Sequence, residues 1–382
     1  MNIMSKRRDK DRERAEPLKL CLDSGIEIPK FTHKDPYSII NNSIYIFGQS
    51  GTGKSSIVNY LLLTLQGYVS SGFVICPTEA TSETPSYKGV FPPHCIKTAD
   101  ITDKSIEKCM IDLYNRQEFV SAMAKCSSNI TLLRELSKRF GVYDSIHRSL
   151  LKVARVRGNI EKLTIDADKK KKVLTDLKQY EINLYSRKLF DLNKAGKIDI
   201  SRLSEDEANC IQFLYFNPRT ILILDDCFST CKKVQKTSIF IKYLTQCRHF
   251  NVTFMIIIHA VQHIAQDNRL LSKKSIFSDK DTATKYFGLL LSGGLISNGR
   301  HRMAMAMIDK VFEIKFRPFI YSAEASPATQ LQYFVSRKIP PTPFGSKHIW
   351  KLSEKAGVND TVNKTNPYYQ KFMSKRVLLK KP

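Results

Sequence analysis

The sequence has no run of about 18 apolar residues, so it offers no candidate transmembrane helix. Its first 14 residues are charged from Lys6 onward and have no apolar stretch, so we expect no signal peptide there. Acidic residues are scarce: 36 Asp and Glu stand against 61 Lys and Arg, a formal net charge of +25. Such a surface attracts polyanions, of which nucleic acid is the usual one; a basic surface that serves solubility alone is the other interpretation.

The nine cysteines lack a metal-binding pattern. Cys227 and Cys231 lie near each other, but no second cysteine pair or histidine pair completes a zinc site. We therefore expect all nine to be reduced thiols of an intracellular protein. A GTPase is also disfavoured, because the nearest match to a guanine-specificity motif, at residues 193–196, lacks the required acid.

One stretch carries a specific signal. Residues 43–47 (SIYIF) are mostly apolar and predict a buried strand, and residues 57–65 (IVNYLLLTL) predict a buried helix. Between them lies Gly-x4-Gly-Lys-Ser, the pattern of a phosphate-binding loop. We expect the nucleotide to be held by Gly48, Gln49, Ser50, Gly51, Thr52, Gly53, Lys54, Ser55 and Ser56.

Each residue type in this loop has a chemical reason. Glycines let backbone N–H groups turn toward a phosphate, and the helix N-terminus adds partial positive charge. Lys54 would reach the β- and γ-phosphates of ATP, and Ser55 would offer its hydroxyl to Mg²⁺.

A second acidic element fits the same chemistry. Residues 220–224 (TILIL) predict a buried strand that ends in Asp225 and Asp226. Asp225 would hold the Mg²⁺ shell, and Asp226 would accept a proton from the attacking water or orient it. A further strand over 252–258 ends at His259, which would lie beside the Asp225 strand and sense the γ-phosphate; a capped strand end is the alternative.

Other segments are less specific. A strand over 72–76 places Thr78 and Glu79 at the sheet edge that carries ligands, where they are weaker candidates for contact with nucleotide or DNA. Residues 238–248 predict a helix, and residues 311–316 predict a last strand. Apolar residues recur at helical spacing from about 101 to 208, with Lys and Arg on the polar faces and a Lys169–Lys172 run. This insertion either contacts DNA or a partner, or simply faces solvent.

With 382 residues, the chain has room for one large domain with appendages or for two domains. We divide it into a basic N-terminal extension (1–40), an ATPase core in two parts (41–100 and 211–325), the helical insertion (101–210) and a basic C-terminal tail (326–382). The expected fold is α/β: a RecA-like (ASCE) P-loop NTPase with a mostly parallel sheet, flanking helices and a basic helical insertion.

The motifs together resemble the viral genome-packaging ATPases of the FtsK–HerA branch, which include the poxvirus-type and adenovirus-type proteins. The resemblance rests on residues 48–55, 73–78 and 221–226, and on shorter matches at 247–253 and 316–321. Many members carry Gln where this chain has His259, with Gln262 nearby, and Asp-Glu where it has Asp225 and Asp226. In the family, an arginine at about the spacing of Arg269 is a candidate finger that reaches a neighbour's ATP; Arg300 and Arg302 are competing candidates.

The resemblance implies an enzyme that hydrolyses ATP with Mg²⁺ and translocates double-stranded DNA into a viral capsid. It also implies a homo-oligomeric ring, capsid or portal partners, and a location inside the infected cell, in a cytoplasmic factory or the nucleus, or in the virion. Two alternatives stay open: a DNA-binding packaging or regulatory factor that uses ATP as a switch, and a related helicase.

Overall fold

The computed structural model describes residues 20–31, 36–83, 85–164, 166–336 and 339–355. The charged stretch after Lys6 and the final basic residues of the chain lie outside these ranges. The described chain forms two compact units: residues 20–112 with 219–355, and Leu113–Pro218. All nine cysteines are free thiols, as expected. Within the described ranges, no helix is long and apolar enough to cross a membrane.

An eight-stranded sheet forms the centre of the first unit, in the order β10-β9-β8-β3-β7-β6-β4-β5. The six strands from β8 to β5 are mutually parallel, and β9 runs antiparallel to both of its neighbours, β8 and β10. A separate hairpin pairs β1 with β2. The strands are β1 (Leu20–Cys21), β2 (Glu27–Ile28), β3 (Ser43–Phe47), β4 (Ser71–Ile75), β5 (Ile96–Lys97), β6 (Thr220–Asp225), β7 (Val252–Ile258), β8 (Lys274–Phe277), β9 (Phe319–Ser322) and β10 (Leu331–Tyr333).

The central strands are mostly apolar because both faces of the sheet are covered; the buried Ser43 in β3 and Thr253 in β7 are polar exceptions. Every residue of β3 and of β7 is buried. Parallel strands buried on two faces read as continuous Val/Ile/Leu-rich runs, which is why the sequence predicted β3 and β7 at their observed bounds. One strand, β7, lies between β3 and β6. The fold is thus the RecA-like P-loop NTPase that the sequence predicted.

Helices flank this sheet. Those of the first unit include α1 (Lys54–Leu65), α7 (Ser238–Gln246), α8 (Lys280–Ser292), α9 (Asn298–Phe312) and α10 (Lys347–Lys355). Buried side chains of α1 pack in one apolar core with the central strands. The predicted helix 238–248 forms as α7, followed by a short 3-10 turn, Cys247–Phe250.

The predicted strand at 311–316 is wrong. Val311 and Phe312 complete α9, and Phe316 follows in a left-handed conformation with φ +64°. The apolar residues at this point continue a helical period, since Ala304, Met307, Ile308 and Val311 are all buried on one side of α9. The strand comes later, as β9, antiparallel to β8.

The second unit is helical, as predicted for the insertion. Helix α2 (Asp103–Cys126) leads into it, and its other helices are α3 (Ile130–Arg139), α4 (Tyr143–Lys162), α5 (Ala167–Lys194) and α6 (Glu205–Gln212). Leucines of α3 and α5 form its apolar core with Tyr185 and Ile211. A buried carboxylate, Glu181, pairs with Arg157 at 2.8 Å and with Arg134 at 3.6 Å.

Candidate nucleotide site

Four loops that follow parallel strands meet at one edge of the sheet. In the sheet register Phe47 of β3 pairs with Ile258 of β7 and with Phe277 of β8, and Asp225 of β6 pairs with Ile257. These strands therefore end together, and the residues that follow them are brought side by side. In open α/β sheets, ligands bind at this carboxyl edge.

The phosphate-binding loop has the backbone that its glycines allow. Gly51 and Gly53 adopt φ of +77° and +96°, and Gly53 is the N-cap of α1. Gly48 is needed for a different reason: a Cβ there would collide with Ser278 Oγ. The Gly48 N–H donates to the Ile258 carbonyl (3.1 Å), which ties the start of the loop to β7.

Lys54 is folded back onto its own loop. Its Nζ donates to the carbonyls of Gly48 (2.7 Å) and Gln49 (2.8 Å) and lies 3.0 Å from His259 Nδ1. Burial lowers the pKa of Lys54, while the charges of Asp225, Asp226 and Asp279 oppose that shift. Lys54 is only 8% exposed, so its ammonium group is bound by protein groups and largely shielded from solvent.

His259 joins Lys54 to Asp226. Its Nε2 lies 3.4 Å from Asp226 Oδ1. Burial and the Lys54 charge lower the pKa of His259, and Asp226 opposes them. Lysine can only donate, which makes Nδ1 the acceptor and places the ring proton on Nε2, facing Asp226. Three of the predicted site residues thus form one contact chain.

Asp226 stands at a backbone position that non-glycine residues rarely adopt, with φ +54°. Its N–H donates to the Ile257 carbonyl of β7 (3.2 Å). This left-handed turn directly after β6 redirects the chain and leaves the side chain beside His259. Unusual backbone conformations of this kind cluster at functional sites.

Asp225 is engaged by a tyrosine that sequence reasoning missed. The Tyr87 hydroxyl donates to Asp225 Oδ2 at 2.7 Å. Burial raises the pKa of Asp225 to about 6; the Tyr87 hydrogen bond opposes that shift, and the Asp226 charge adds to it. Nothing in the local sequence singles out Tyr87, because it lies in a stretch with three prolines (Pro85, Pro92 and Pro93) and no helical or strand pattern.

Ser55, the other predicted magnesium ligand, is exposed at the first turn of α1 and accepts a hydrogen bond from Ser86 Oγ (3.0 Å). Glu79 holds the loop that carries Ser86 and Tyr87. Thr78 is exposed, and its hydroxyl lies 3.3 Å from Cys76 Sγ.

The donor set fits a magnesium ion bound together with a nucleotide. Ser55 and Asp225 provide a hydroxyl and a carboxylate, both hard oxygen ligands, and Mg²⁺ typically takes one or two such protein ligands and completes its shell with phosphates and water. No cluster of three or more His, Cys, Asp or Glu side chains suited to a metal occurs among the residues that the structure describes.

The segment after β8 also contacts the phosphate-binding loop, and this contact was not predicted from the sequence. Asp279 Oδ2 accepts the Gln49 N–H at 2.9 Å. The same carboxylate is the N-cap of α8 and accepts the Thr282 N–H at 2.8 Å. An acidic residue between an apolar strand and a helix is a recognisable N-cap signal, but its reach to Gln49 depends on β8 lying next to β3.

Arg269 follows the turn Gln266–Asn268 and precedes β8. Its side chain is half-buried, and its Nε is buried without a hydrogen-bond partner among the described residues. Its carbonyl accepts the Tyr286 hydroxyl (3.1 Å). Arg300 and Arg302 are exposed near the start of α9. The role of Arg269 as a finger stays a prediction, as does that of each competitor.

The chain is similar over most of its length to the uncharacterized protein B354L of African swine fever virus. The sequences are 25% identical over 367 residues in the Pig/Kenya isolate, covering 93% of this chain and 99% of that protein, and the Vero-adapted Badajoz strain gives the same values. No family model matches the chain.

Two solved structures are similar at low identity. One is the genome packaging NTPase B204 from Sulfolobus turreted icosahedral virus 2 in complex with AMPPCP (11% identity, 80% of this chain, 100% of that chain, TM-score 0.38). The other is the pCW3 conjugation coupling protein TcpA with ATPγS (13% identity, 82% of this chain, 65% of that chain, TM-score 0.39). At these scores the fold assignment rests on the strand order above.

Basic residues gather on one face of α4. Arg148, Lys152 and Arg155 are four and three positions apart, which places them on one side of the helix, and all three are exposed. Arg157, which falls on another side, is instead paired with Glu181.

The Lys169–Lys172 run is not uniform. Lys169 and Lys171 are exposed, whereas Lys170 Nζ donates to the Glu161 carbonyl at 2.8 Å in the last turn of α4. That contact satisfies a helix C-terminus, a structural use for a lysine. The side chain of Lys172 lies outside the described part of the chain.

Proposed function

We propose that this protein is an ATP-hydrolysing DNA translocase that packages a viral double-stranded DNA genome into a capsid. The observation that carries the proposal is the contact chain from Lys54 through His259 to Asp226, set beside Asp225 at the carboxyl edge of the sheet. Lys54 and Asp226 lie on the two sides of one histidine, an arrangement that suits a lysine that binds phosphate and a carboxylate that orients water.

In this proposal each residue has one task. Lys54 Nζ leaves the carbonyls of Gly48 and Gln49 and donates to the β- and γ-phosphate oxygens of ATP. Asp226 orients the attacking water and accepts its proton, which requires that its carboxylate be ionised. His259 Nε2–H stabilises that carboxylate. Its Nδ1 loses the contact with Lys54 when a phosphate binds, so His259 senses whether the phosphate site is occupied.

Ser55 and Asp225 would hold Mg²⁺, which, when bound, neutralises charge on the β- and γ-phosphates. Asp225 binds a cation only when ionised, so a cation in the site favours the charged form that burial disfavours. The N–H groups of the phosphate-binding loop, held open by Gly51 and Gly53, take the remaining phosphate oxygens.

Charge supports DNA as the substrate of the motor. The formal charge of +25 exceeds what solubility needs, and the exposed Arg148, Lys152 and Arg155 form a basic row on α4. The African swine fever virus relatives, which the chain matches over nearly their full length, support a viral role. Action in the infected cell or the virion, a homo-oligomeric ring and a capsid or portal partner belong to the same proposal.

A triplex-displacement assay tests this function. A translocase that moves along duplex DNA strips a third strand ahead of it only while ATP is hydrolysed. We expect displacement with ATP and none with a non-hydrolysable analogue. Replacing Arg148, Lys152 and Arg155 by Gln should reduce displacement, whereas the matched charge change at Lys285, Lys315 and Lys351, which are exposed in the other unit, should not.

The outcome also separates the alternatives. A protein that binds duplex DNA in an ATP-dependent way but displaces no third strand is a switch rather than a motor. Strand separation of a forked duplex without triplex displacement would instead indicate a helicase.

A further inference from the structure

One loop reaches both predicted magnesium ligands. Glu79 organises it: Oε1 accepts the N–H groups of Tyr87 (2.7 Å) and Lys88 (2.8 Å), and Oε2 accepts the N–H of Ser86 (2.9 Å). Three backbone donors on one carboxylate fix the path of residues 86–88. Hydrogen bonds from N–H groups to an ionised acceptor are stronger than neutral ones, so this turn is firmly set.

The far side of the loop is anchored in the core. The Tyr87 carbonyl accepts the N–H groups of Val90 and Phe91 (2.9 and 3.0 Å), and the Phe91 ring lies against Phe344, with centroids 5.4 Å apart. Phe91 also covers Gly72, where a Cβ would collide with its ring. Tyr87 itself is fully buried, so its hydroxyl has a fixed position.

From that position Tyr87 acts on Asp225. A carboxylate oxygen accepts hydrogen bonds, so the Tyr87 hydroxyl is the donor of this pair. It occupies Asp225 Oδ2 at 2.7 Å, which fixes the carboxylate rotation and leaves Oδ1 for a ligand. A hydrogen-bond donor to a metal-binding carboxylate commonly orients that carboxylate in this way.

Ser86 orients Ser55 by a similar hydrogen bond. Its Oγ donates to Ser55 Oγ at 3.0 Å and uses one of that oxygen's two lone pairs. The other lone pair stays available for a cation. Ser86 and Tyr87 are adjacent, so one turn makes the contacts to both predicted magnesium ligands, Ser55 and Asp225.

We propose that Ser86 and Tyr87 are positioning residues that pre-set Ser55 and Asp225 for the metal ion of a bound nucleotide. The inference rests on the proposed function, since it presumes a Mg²⁺-nucleotide at this edge. It adds the claim that metal binding, rather than nucleotide binding as such, depends on this loop.

The test measures how strongly metal and nucleotide binding are coupled. A fluorescent non-hydrolysable ATP analogue is titrated into full-length protein with saturating Mg²⁺ and again with EDTA, and the ratio of the two dissociation constants is the coupling. Tyr87→Phe removes only the hydroxyl, and Ser86→Ala removes only the half-buried Oγ. Tyr243→Phe is the matched buried control, since its hydroxyl donates to the Met110 carbonyl; Ser292→Ala is the exposed one.

We expect the affinity in EDTA to stay within about twofold of wild type in both variants. The coupling ratio should fall on the order of tenfold or more, the size that partners of metal ligands usually contribute. Both controls should keep the wild-type ratio.

A ratio within twofold of wild type in either variant overturns the assignment of that residue while leaving the proposed function intact. If the wild-type protein binds no nucleotide with or without Mg²⁺, the proposed function and this inference both fall. Ser86→Ala decides the case should Tyr87→Phe fail to fold, because its side chain lies outside the apolar core.

Discussion

Lys54 Nζ lies 3.0 Å from His259 Nδ1, so the lysine that we assign to phosphate binding is in direct contact with the residue that follows β7. Two strands that are far apart in sequence bring them together, since β3 and β7 are parallel neighbours. His259 in turn reaches Asp226. One imidazole therefore connects the lysine that we assign to phosphate binding with the carboxylate that we assign to the attacking water.

His259→Ala should keep ATP bound within a few-fold of wild type and slow turnover on the order of a hundredfold, the usual cost of removing one preorganised donor near a developing charge. His259→Gln should recover part of the rate, because a carboxamide offers both an acceptor and a donor. Single-turnover hydrolysis measures the effect. A wild-type rate in His259→Ala would remove the histidine from the site chemistry.

Asp225→Asn should stabilise the protein in the absence of nucleotide. Burial raises the pKa of Asp225 to about 6, above its unfolded value of about 4, so the folded state holds the proton more tightly than the unfolded state. The ionised carboxylate therefore costs stability that grows as the pH rises from about 4 to about 6 and is complete above that range. The variant should gain up to about 3 kcal/mol at pH 8.

Urea unfolding of wild type and Asp225→Asn at pH 8 and pH 5 checks this result. The advantage of the variant should shrink as the pH falls. An advantage that is equal at both pH values, or a destabilised variant at pH 8, would mean that the carboxylate is not held at an energetic cost.

Asp279 should support the phosphate-binding loop as well as α8. Asp279→Ala removes both contacts and should lose about 1 kcal/mol of stability from the helix cap and weaken ATP binding. Asp279→Ser can still cap α8 but is too short to reach Gln49, so it should recover the stability and not the affinity. If Asp279→Ser binds ATP as tightly as wild type, the Gln49 contact is dispensable.

The sequence predicted the parts of this fold that local pattern determines. The strands β3 and β7 appear at the predicted bounds, because strands buried on both faces of a sheet are mostly apolar. The prediction of a strand at 311–316 is wrong, and the reason is also local: Val311 continues the helical spacing of buried residues in α9.

What the sequence could not provide is which loops become neighbours. The reach of Asp279 to Gln49 and of Tyr87 to Asp225 depends on strand order and on a packed loop, both set by contacts far apart in the chain. The same applies to the Lys54–His259 contact, where the residue types were predicted as site residues but their joining through Nδ1 and Nε2 was not.

Arg269 should act on a neighbouring subunit if the protein forms a ring. Lys54→Ala and Arg269→Ala should each abolish turnover alone, since a finger can contribute 10³–10⁵ in rate. Mixed together, they should regain part of the activity, because some interfaces then hold an intact loop and an intact arginine. No recovery would place Arg269 in its own subunit's site, and a fully active Arg269→Ala would direct the same test to Arg300 and Arg302.

The central claim is that the site at this edge of the sheet hydrolyses ATP and that this hydrolysis is coupled to DNA translocation. The most direct measurement is steady-state ATP turnover of the full-length protein with and without duplex DNA, beside Asp226→Asn at matched nucleotide occupancy. The account predicts turnover that duplex DNA stimulates, and an Asp226→Asn variant that binds ATP and does not turn it over. Turnover that is absent under both conditions, or that persists near the wild-type rate in Asp226→Asn, would contradict it.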